Sequence, residues 1–302
     1  MPRRRRWPRI ARSSRRSDRW RRRRRRVAPF DSSDPGAETG GGAGRSASEA
    51  GALARLYDLD LVDDPGDLDL YRALAARTGD PILELGVGTG RLAVPLARAG
   101  HRVVGVDHDG AMLDRARRAA KAAGVGGDRL RLVETDLVDA ELPEAGSFQL
   151  AFLPLNTMLA LGSRDAQLGA LRTMAAHLGP GGLAVVDVWQ PGAEDLARFD
   201  GRLVLEYGRR DPETGLGVTK IASAHHDPAT QGVTLTTIYE EGEPGRPAAR
   251  WLKVERLRLV SADELRGLAS DAGLEVEQLA GGYDLEPLGP TSERAVLVAV
   301  RR

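Results

Sequence analysis

The segment from Pro81 to Asp107 constrains the fold of this chain more than any other part of its sequence. It opens with the run PILELGVGTGR and closes with VVGVD. The pattern predicts a buried strand, a glycine turn, a helix and a second strand that ends in a carboxylate. Glycines let a backbone approach a ligand closely, and a helix directs its unpaired N–H groups over the preceding turn. Because the final aspartate can accept hydrogen bonds from a ribose diol, the segment is typical of a site for a nucleoside-containing cofactor.

The details of the glycine turn distinguish between classes of cofactor. The dinucleotide fingerprint is G-x-G-x-x-G, whereas the spacing here is G-x-G-x-G and Arg91 occupies the place of the third glycine. Glu84 lies inside the apolar strand, where a carboxylate is costly unless it has a partner. It would repel a pyrophosphate and attract a cation, as in S-adenosylmethionine, which carries an ammonium, a sulfonium and a ribose but no phosphate. A plain strand–helix turn and an NAD site remain the alternatives.

The run LELGVGTG at residues 83–90 closely resembles motif I of the class I S-adenosylmethionine-dependent methyltransferases. The resemblance covers residues 55–190 and 261–302, and it is weakest between these two ranges. It implies a Rossmann-like, doubly wound sheet of seven strands whose last strand is antiparallel. It also implies that the chain is a methyltransferase with S-adenosylmethionine as its cofactor.

The pattern changes after Pro191, where the alternation of strands and helices stops. Residues 201–259 contain no convincing helix and alternate apolar and polar positions between turn signals, which predicts an antiparallel β-meander inserted before the last helix. The predicted strands of the meander are Leu203–Tyr207, Gly217–His225, Gly232–Glu240 and Trp251–Leu259. We expect the meander to cover the substrate or to form a dimer surface.

These patterns divide the chain into four parts. Residues 1–50 are predicted to be a disordered Arg-rich tail and linker, and residues 51–200 the cofactor-binding core. Residues 201–259 form the β insertion, and residues 260–302 return to the core. The chain of 302 residues is long enough for this arrangement, and 41% of its residues are hydrophobic.

Charge is distributed very unevenly along the chain. Residues 1–26 contain 15 Arg and one Asp, whereas the remaining residues contain 29 basic and 42 acidic side chains. An acidic body repels phosphate backbones, so nucleic acid is an unlikely partner except through the tail. For the tail itself, RNA or membrane contact and a translation start near Val27 remain alternatives. The absence of cysteine and of long apolar runs predicts a cytoplasmic protein without a membrane span.

The resemblance to the methyltransferases implies roles for residues of motif I and of the next strand. Gly86, Gly88 and Gly90 would let the loop pass beneath the methionine part of the cofactor. Glu84 would hold its ammonium, and Asp107 would accept hydrogen bonds from the ribose hydroxyls.

Further residues are implied at the adenine end and beside the methyl group. His108, Asp136 and Leu137 would lie near the adenine, although Asp136 as a simple turn cap is a serious alternative. The loop that follows the fourth strand would face the transferring methyl group, with Leu155 against the cofactor. This loop lacks the Asn/Asp-Pro-Pro-Tyr/Phe signature of enzymes that methylate bases or glutamine amides.

Four residues are candidates for contact with the methyl acceptor: Tyr57, Tyr71, Asn156 and Tyr283. The first two lie on helices that precede motif I, where related enzymes cover the cofactor. The sequence shows no catalytic base, and its five histidines have no metal-ligand spacing, so no metal is expected.

The sequence therefore predicts methyl transfer to a nitrogen or oxygen of a small molecule by in-line displacement. An acidic body would favour a neutral or cationic acceptor such as an amine. An RNA-binding or RNA-modifying protein that uses the Arg-rich tail is the first alternative, and an NAD-dependent oxidoreductase is the second. A homodimer is a further expectation.

Overall fold

The computed structural model describes residues 47–63 and 65–302, so the predicted tail and most of the predicted linker lie outside the described residues. Two helices come first, α1 (Ala47–Asp60) and α2 (Leu68–Thr78). Helix α1 takes in the last four residues assigned to the linker, since Ala and Glu favour the helix even without large apolar neighbours. Among the described residues, no helix combines the length and the apolar character that crossing a membrane requires.

Strands and helices then alternate along the chain as the sequence predicts. The first elements are β1 (Ile82–Leu85), α3 (Ala93–Arg98), β2 (Val103–Asp107), α4 (Gly110–Ala122), β3 (Leu130–Glu134), β4 (Phe148–Leu153), α5 (Thr157–Ala160), α6 (Arg164–His177) and β5 (Leu178–Trp189). The remaining elements are α7 (Ala193–Leu196), β6 (Val204–Arg210), β7 (Gly217–Asp227), β8 (Gly232–Gly242), β9 (Ala249–Arg258), α8 (Ala262–Asp271), β10 (Leu274–Ala280) and β11 (Arg294–Arg301).

Seven of the strands form one sheet with the order β10-β11-β5-β4-β1-β2-β3. Strand β11 runs antiparallel to both of its neighbours, and the pairs among β1 to β5 are parallel. This confirms the predicted doubly wound sheet with an antiparallel last strand. The direction of strand order reverses between β1 and β4, and ligands of such sheets bind outside the carboxyl ends of the strands at this point.

One face of the central strands carries both apolar and charged side chains toward α2. Glu84 of β1 is in register with Phe152 of β4, and Phe152 is in register with Val185 of β5. Because side chains two residues apart in a strand share a face, Asp187 lies on this face as well. Tyr71 of α2 covers it, with its ring 4.4 Å from the ring of Phe152. The opposite face packs against α6 and α8 in the main hydrophobic core.

The remaining four strands form a separate antiparallel sheet in the order β6-β7-β8-β9. This confirms the predicted meander, because the alternation of apolar and polar residues over residues 201–259 gives the sheet one buried face. Leu53, Leu56 and Leu59 of α1 pack on that face, against Val218 and Tyr239.

The carboxylate of Asp60 makes several of the contacts between α1 and the meander. Asp60, the last residue of α1, accepts hydrogen bonds from the hydroxyls of Tyr207 (2.6 Å) and Tyr239 (2.8 Å) and from the ammonium of Lys220 (2.9 Å). The position of α1 is therefore fixed by the inserted sheet.

Large apolar side chains are exposed on the edge strands of the meander or just before them. They are Leu203, Val204, Leu205, Leu252 and Val254. Whether the meander covers the substrate or forms a dimer surface stays a prediction.

Candidate cofactor and methyl-transfer site

The glycine turn after β1 brings three segments into contact. The N–H groups of Gly86 and Val87 both donate to the carbonyl of Val106 in β2, at 2.8 and 2.9 Å. Gly86 has φ +77°, and a Cβ on it would lie 2.5 Å from Cγ2 of Thr157 in the turn after β4. Only glycine fits there, because both the backbone conformation and the close approach exclude a side chain. The turn is therefore a backbone cradle at the topological switch point.

Asp107 closes the cradle from the end of β2. One carboxylate oxygen accepts a hydrogen bond from the N–H of Gly88 at 2.8 Å, and the other accepts from the N–H of Asp109 at 3.0 Å. The side chain of Asp109 in turn caps α4 by accepting from the N–H of Ala111 at 2.9 Å. Each oxygen of Asp107 keeps a second lone pair, so two further hydroxyl donors can bind there.

Glu84 lies beneath the cradle and has an unfilled hydrogen-bonding position. Its side chain is 2% exposed, and Oε2 has no hydrogen-bond partner among the described residues. Burial raises the pKa of Glu84 well above its usual value, and the charges of Asp67 and Asp107 raise it further, while Arg91 opposes them. A buried acceptor of this kind fits a cationic donor, which would keep the carboxylate ionised.

Arg91, which replaces the third glycine of the dinucleotide fingerprint, pairs with a residue that the sequence interpretation missed. Its guanidinium donates to both oxygens of Asp67 at 2.5 and 2.6 Å, and Asp67 is fully buried at the start of α2. This bidentate pair holds α2 against the motif I turn. No local signal identifies it, because its two members lie on separate elements.

Asp187 is a second buried carboxylate that the sequence interpretation missed. It is 0% exposed near the end of β5 and accepts hydrogen bonds from the hydroxyl of Tyr71 (3.0 Å), the N–H of Leu155 (2.9 Å), the hydroxyl of Tyr283 (3.4 Å) and the guanidinium of Arg294. Burial raises its pKa to about 6, against the lowering effect of Arg294 and of the N–H of Leu155. The signal was present in the sequence LAVVDVW, where one charge interrupts an apolar strand.

The turn after β4, which the sequence predicts to face the methyl group, lies close to the glycine turn after β1. Leu155 has φ +54°, a left-handed conformation that is unusual for a residue with a side chain, and its N–H is held by Asp187. Asn156 is exposed, and its Oδ1 accepts from the N–H of Trp189 at 3.0 Å. The contact of Thr157 with Gly86 joins this turn to the cradle.

Two of the predicted acceptor-contact tyrosines occupy very different positions. Tyr57 of α1 reaches over the cradle, with Cε1 3.9 Å from the place of a Cβ on Gly88. Burial raises its pKa to about 12; Arg91 lowers it, and Asp107 and Glu84 raise it further. Tyr71 is completely buried against Phe152, so it supports the site from behind rather than lining it.

The three residues predicted near the adenine follow the ends of β2 and β3, but they differ in how far they are exposed to solvent. The side chain of His108 is 80% exposed and lies beside Asp107, with Nδ1 3.8 Å from Oδ1. Asp136 is exposed and caps the turn by accepting from the N–H of Val138 at 2.9 Å, as the alternative interpretation expects. Leu137 is buried in the main core. Contact of these three with an adenine stays a prediction.

The site as a whole has more negative than positive groups. Its charged side chains are the carboxylates of Asp67, Glu84, Asp107 and Asp187 and the guanidinium groups of Arg91 and Arg294. This excess of carboxylates over guanidinium groups fits a ligand with an ammonium and a sulfonium. The unpartnered oxygen of Glu84 and the cradle that excludes a Cβ fit such a ligand as well. Among the described residues, no cluster of His, Cys, Asp or Glu has the arrangement of a metal site.

A separate cleft of about 630 Å³ lies beside Gly90, between α1, α3 and α4. Arg115 lines it and pairs there with Asp58 and Glu213. Glu84, Asp107 and Asp187 do not line this cleft. The carboxylates that suit a cationic cofactor therefore lie at the cradle and not in this cleft, which favours the cradle as the cofactor site.

Comparison with known proteins agrees with this geometry. Residues 82–182 match the family described as "Methyltransferase domain". The chain is 30% identical over 235 residues to a cypemycin N-terminal methyltransferase of Streptomyces sp., an alignment that covers 77% of this chain and 86% of the relative.

The fold is similar to that of solved methyltransferase structures over most of the chain, including the following two. The CcbJ methyltransferase from Streptomyces caelestis is 27% identical, with a TM-score of 0.66, over 79% of this chain and 96% of that one. The second is CalS10, an amino pentose methyltransferase from Micromonospora echinaspora with S-adenosylmethionine bound. It is 21% identical, with a TM-score of 0.57, over 87% of this chain and 100% of that one.

Proposed function

The chain belongs to the class I S-adenosylmethionine-dependent methyltransferases, and we propose that it methylates an amine nitrogen of a small molecule. S-adenosylmethionine is its cofactor. The observation that carries the proposed arrangement is the buried oxygen Oε2 of Glu84, which has no hydrogen-bond partner among the described residues. The finer assignment to an amine rests on the chemistry of the site and on the name of the Streptomyces relative.

In the proposed arrangement the cofactor lies along the cradle. Glu84 holds the ammonium of the methionine part, Gly86, Gly88 and Gly90 pass beneath it, and Asp107 accepts from the ribose hydroxyls. The adenine lies toward His108, Asp136 and Leu137, beyond the end of β2. The sulfonium then faces the ends of β4 and β5, beside Leu155 and Asn156.

The chain's own contribution to the reaction is alignment and exclusion of water. When bound, S-adenosylmethionine supplies a methyl group on a positively charged sulfur. The amine nitrogen attacks this methyl group from the side opposite the sulfur, and S-adenosylhomocysteine is released. Fixing both ends of the cofactor and holding the amine in line contributes about 7–11 kcal/mol to lowering the barrier. Tyr57 covers the cradle from α1, and Tyr283 closes the opposite side, so that little water reaches the reacting atoms.

A nitrogen acceptor is favoured over oxygen because the described residues of the site include no free base. An uncharged amine attacks without help, whereas a hydroxyl needs a base to take its proton. Among the described residues of the site, His108 is exposed at the ribose end, and the oxygens of Asp187 are already occupied by four donors. An amine can lose its proton to water before it binds, so it enters the site uncharged and needs no base from the protein.

Matched pairs of acceptors test this proposal. We expect S-adenosylhomocysteine to form with an amino sugar or a peptide with a free N-terminus, and not with the corresponding hydroxyl sugar or the N-acetylated peptide. Mass spectrometry would locate the new methyl group on nitrogen. Formation of S-adenosylhomocysteine only with hydroxyl acceptors would contradict the proposal. Turnover only with RNA, lost when residues 1–46 are removed, would support the RNA-modifying alternative instead.

A further inference from the structure

We propose that Asp187 is a positioning residue that accepts the hydroxyl proton of Tyr283. The lone pairs of the Tyr283 oxygen then face the acceptor amine. This inference rests on the proposed function. Tyr283 then accepts a hydrogen bond from an N–H of the amine, which leaves the nitrogen lone pair free to attack the methyl group. A tyrosine that donated to the amine would engage that lone pair and block the attack.

The four donors around Asp187 define what it can do. They come from α2 (Tyr71), the turn after β4 (Leu155), the loop between β10 and β11 (Tyr283) and β11 (Arg294). An ionised carboxylate has about four lone-pair positions, so these donors satisfy it. Because it is also 0% exposed, Asp187 cannot contact the acceptor itself and acts through its partners.

Tyr283 is the partner through which Asp187 can reach the acceptor. Tyr71 is fully buried, and the N–H of Leu155 belongs to the backbone, whereas Tyr283 is only half-buried. The guanidinium of Arg294 lies over the Tyr283 ring, 5.1 Å from its centroid, and fixes the orientation of the ring. The ring therefore holds the hydroxyl beside the end of β5 and the start of β11.

The direction of the hydrogen bond follows from the charges. Burial and the neighbouring charge of Asp187 raise the pKa of Tyr283, against the lowering effect of Arg294, so the hydroxyl keeps its proton at neutral pH. An ionised carboxylate accepts only, so the proton of the hydroxyl must point to Asp187. The lone pairs of the oxygen are left for the amine, since a phenolic hydroxyl has one proton to donate.

The first test compares Tyr283→Phe with a matched tyrosine outside the site. Tyr207 is also half-buried, donates its hydroxyl to an aspartate (Asp60, 2.6 Å) and carries a guanidinium over its ring (Arg209, 4.4 Å). We expect Tyr283→Phe to lower kcat/KM for the amine about tenfold while the KM for S-adenosylmethionine stays within about twofold. Tyr207→Phe should leave both constants near those of the parent, because Tyr239 and Lys220 still donate to Asp60 and keep α1 in place.

The second test is the pH profile of Asp187→Asn. Asp187 must be ionised to hold the Tyr283 proton, so kcat/KM should fall as the pH falls through about 6. Protonation of the amine lowers the rate as well, so log kcat/KM should fall with a slope of about 2 in the parent and about 1 in Asp187→Asn. The charged or titratable groups that face Asp187 are Tyr71, Tyr283, Arg294 and, more distantly, Asp67.

The outcomes separate this inference from the proposed function. A parent enzyme that methylates no amine would overturn both. If the parent methylates the amine and Tyr283→Phe matches Tyr207→Phe in kcat/KM, the inference alone fails. Retention of the parent pH slope in Asp187→Asn would also overturn it. If Asp187→Asn does not fold, the pair of tyrosine variants still decides.

Discussion

Asp107→Ala is expected to bind S-adenosylhomocysteine about 100- to 10,000-fold more weakly than the parent. In the proposed arrangement, the variant loses two charge-assisted hydrogen bonds to the ribose, each worth about 1.5–3 kcal/mol. The substitution also removes the acceptor for the N–H groups of Gly88 and Asp109, so the cradle loses one of its contacts with β2. Isothermal titration calorimetry measures the effect directly.

The control for this substitution is Asp114→Ala. Asp114 is an exposed carboxylate of α4 that pairs with Arg117, one turn along the same helix. Its removal changes the net charge by the same amount without touching the cradle, so the affinity should stay within about twofold. Parental affinity in Asp107→Ala would show that the ribose site has been misplaced.

Gly86→Ala should affect both folding and cofactor binding. A residue with a Cβ pays about 1–2 kcal/mol for a left-handed backbone, and the overlap with Cγ2 of Thr157 at 2.5 Å adds about 1–3 kcal/mol. The free energy of unfolding should therefore fall by about 2–5 kcal/mol. Binding of S-adenosylhomocysteine should weaken as well, because the turn after β4 must move away from the cradle. Chemical denaturation and calorimetry measure the two effects.

Gly124→Ala separates backbone strain from steric overlap. Gly124 also has a positive φ, +71°, but a Cβ there would meet nothing within 4 Å. It should lose only about 1–2 kcal/mol of stability and bind the cofactor product normally. Equal losses in the two variants would mean that the contact of Gly86 with Thr157 has no role in shaping the site.

The parts of this fold that follow from local sequence were predictable. The strand, turn, helix and strand of residues 81–107 are encoded by neighbouring residues, and the meander by its period of two. Glu84 could be identified because a lone carboxylate in an apolar strand needs a partner. Asp187 is also a lone carboxylate in an apolar strand, but no motif surrounds it to indicate its partners.

Other features depend on contacts between distant segments. The pair of Arg91 with Asp67 joins residues 24 positions apart, and no periodicity marks it. Asp60 joins α1 to tyrosines about 150 to 180 positions further along the chain. Tyr71 illustrates the reverse problem, since its position on an early helix is compatible with either a lid or a core residue. Only the packing against Phe152 decides between them.

A crystal structure of the complex with S-adenosylhomocysteine tests the proposed cofactor site most directly. We expect the amino group of the ligand within hydrogen-bond distance of Oε2 of Glu84, and both ribose hydroxyls on Asp107. The sulfur should point toward Tyr283 and the turn at Asn156. A ligand bound instead in the cleft beside Gly90 and Arg115, with Oε2 of Glu84 still unpartnered, would contradict it.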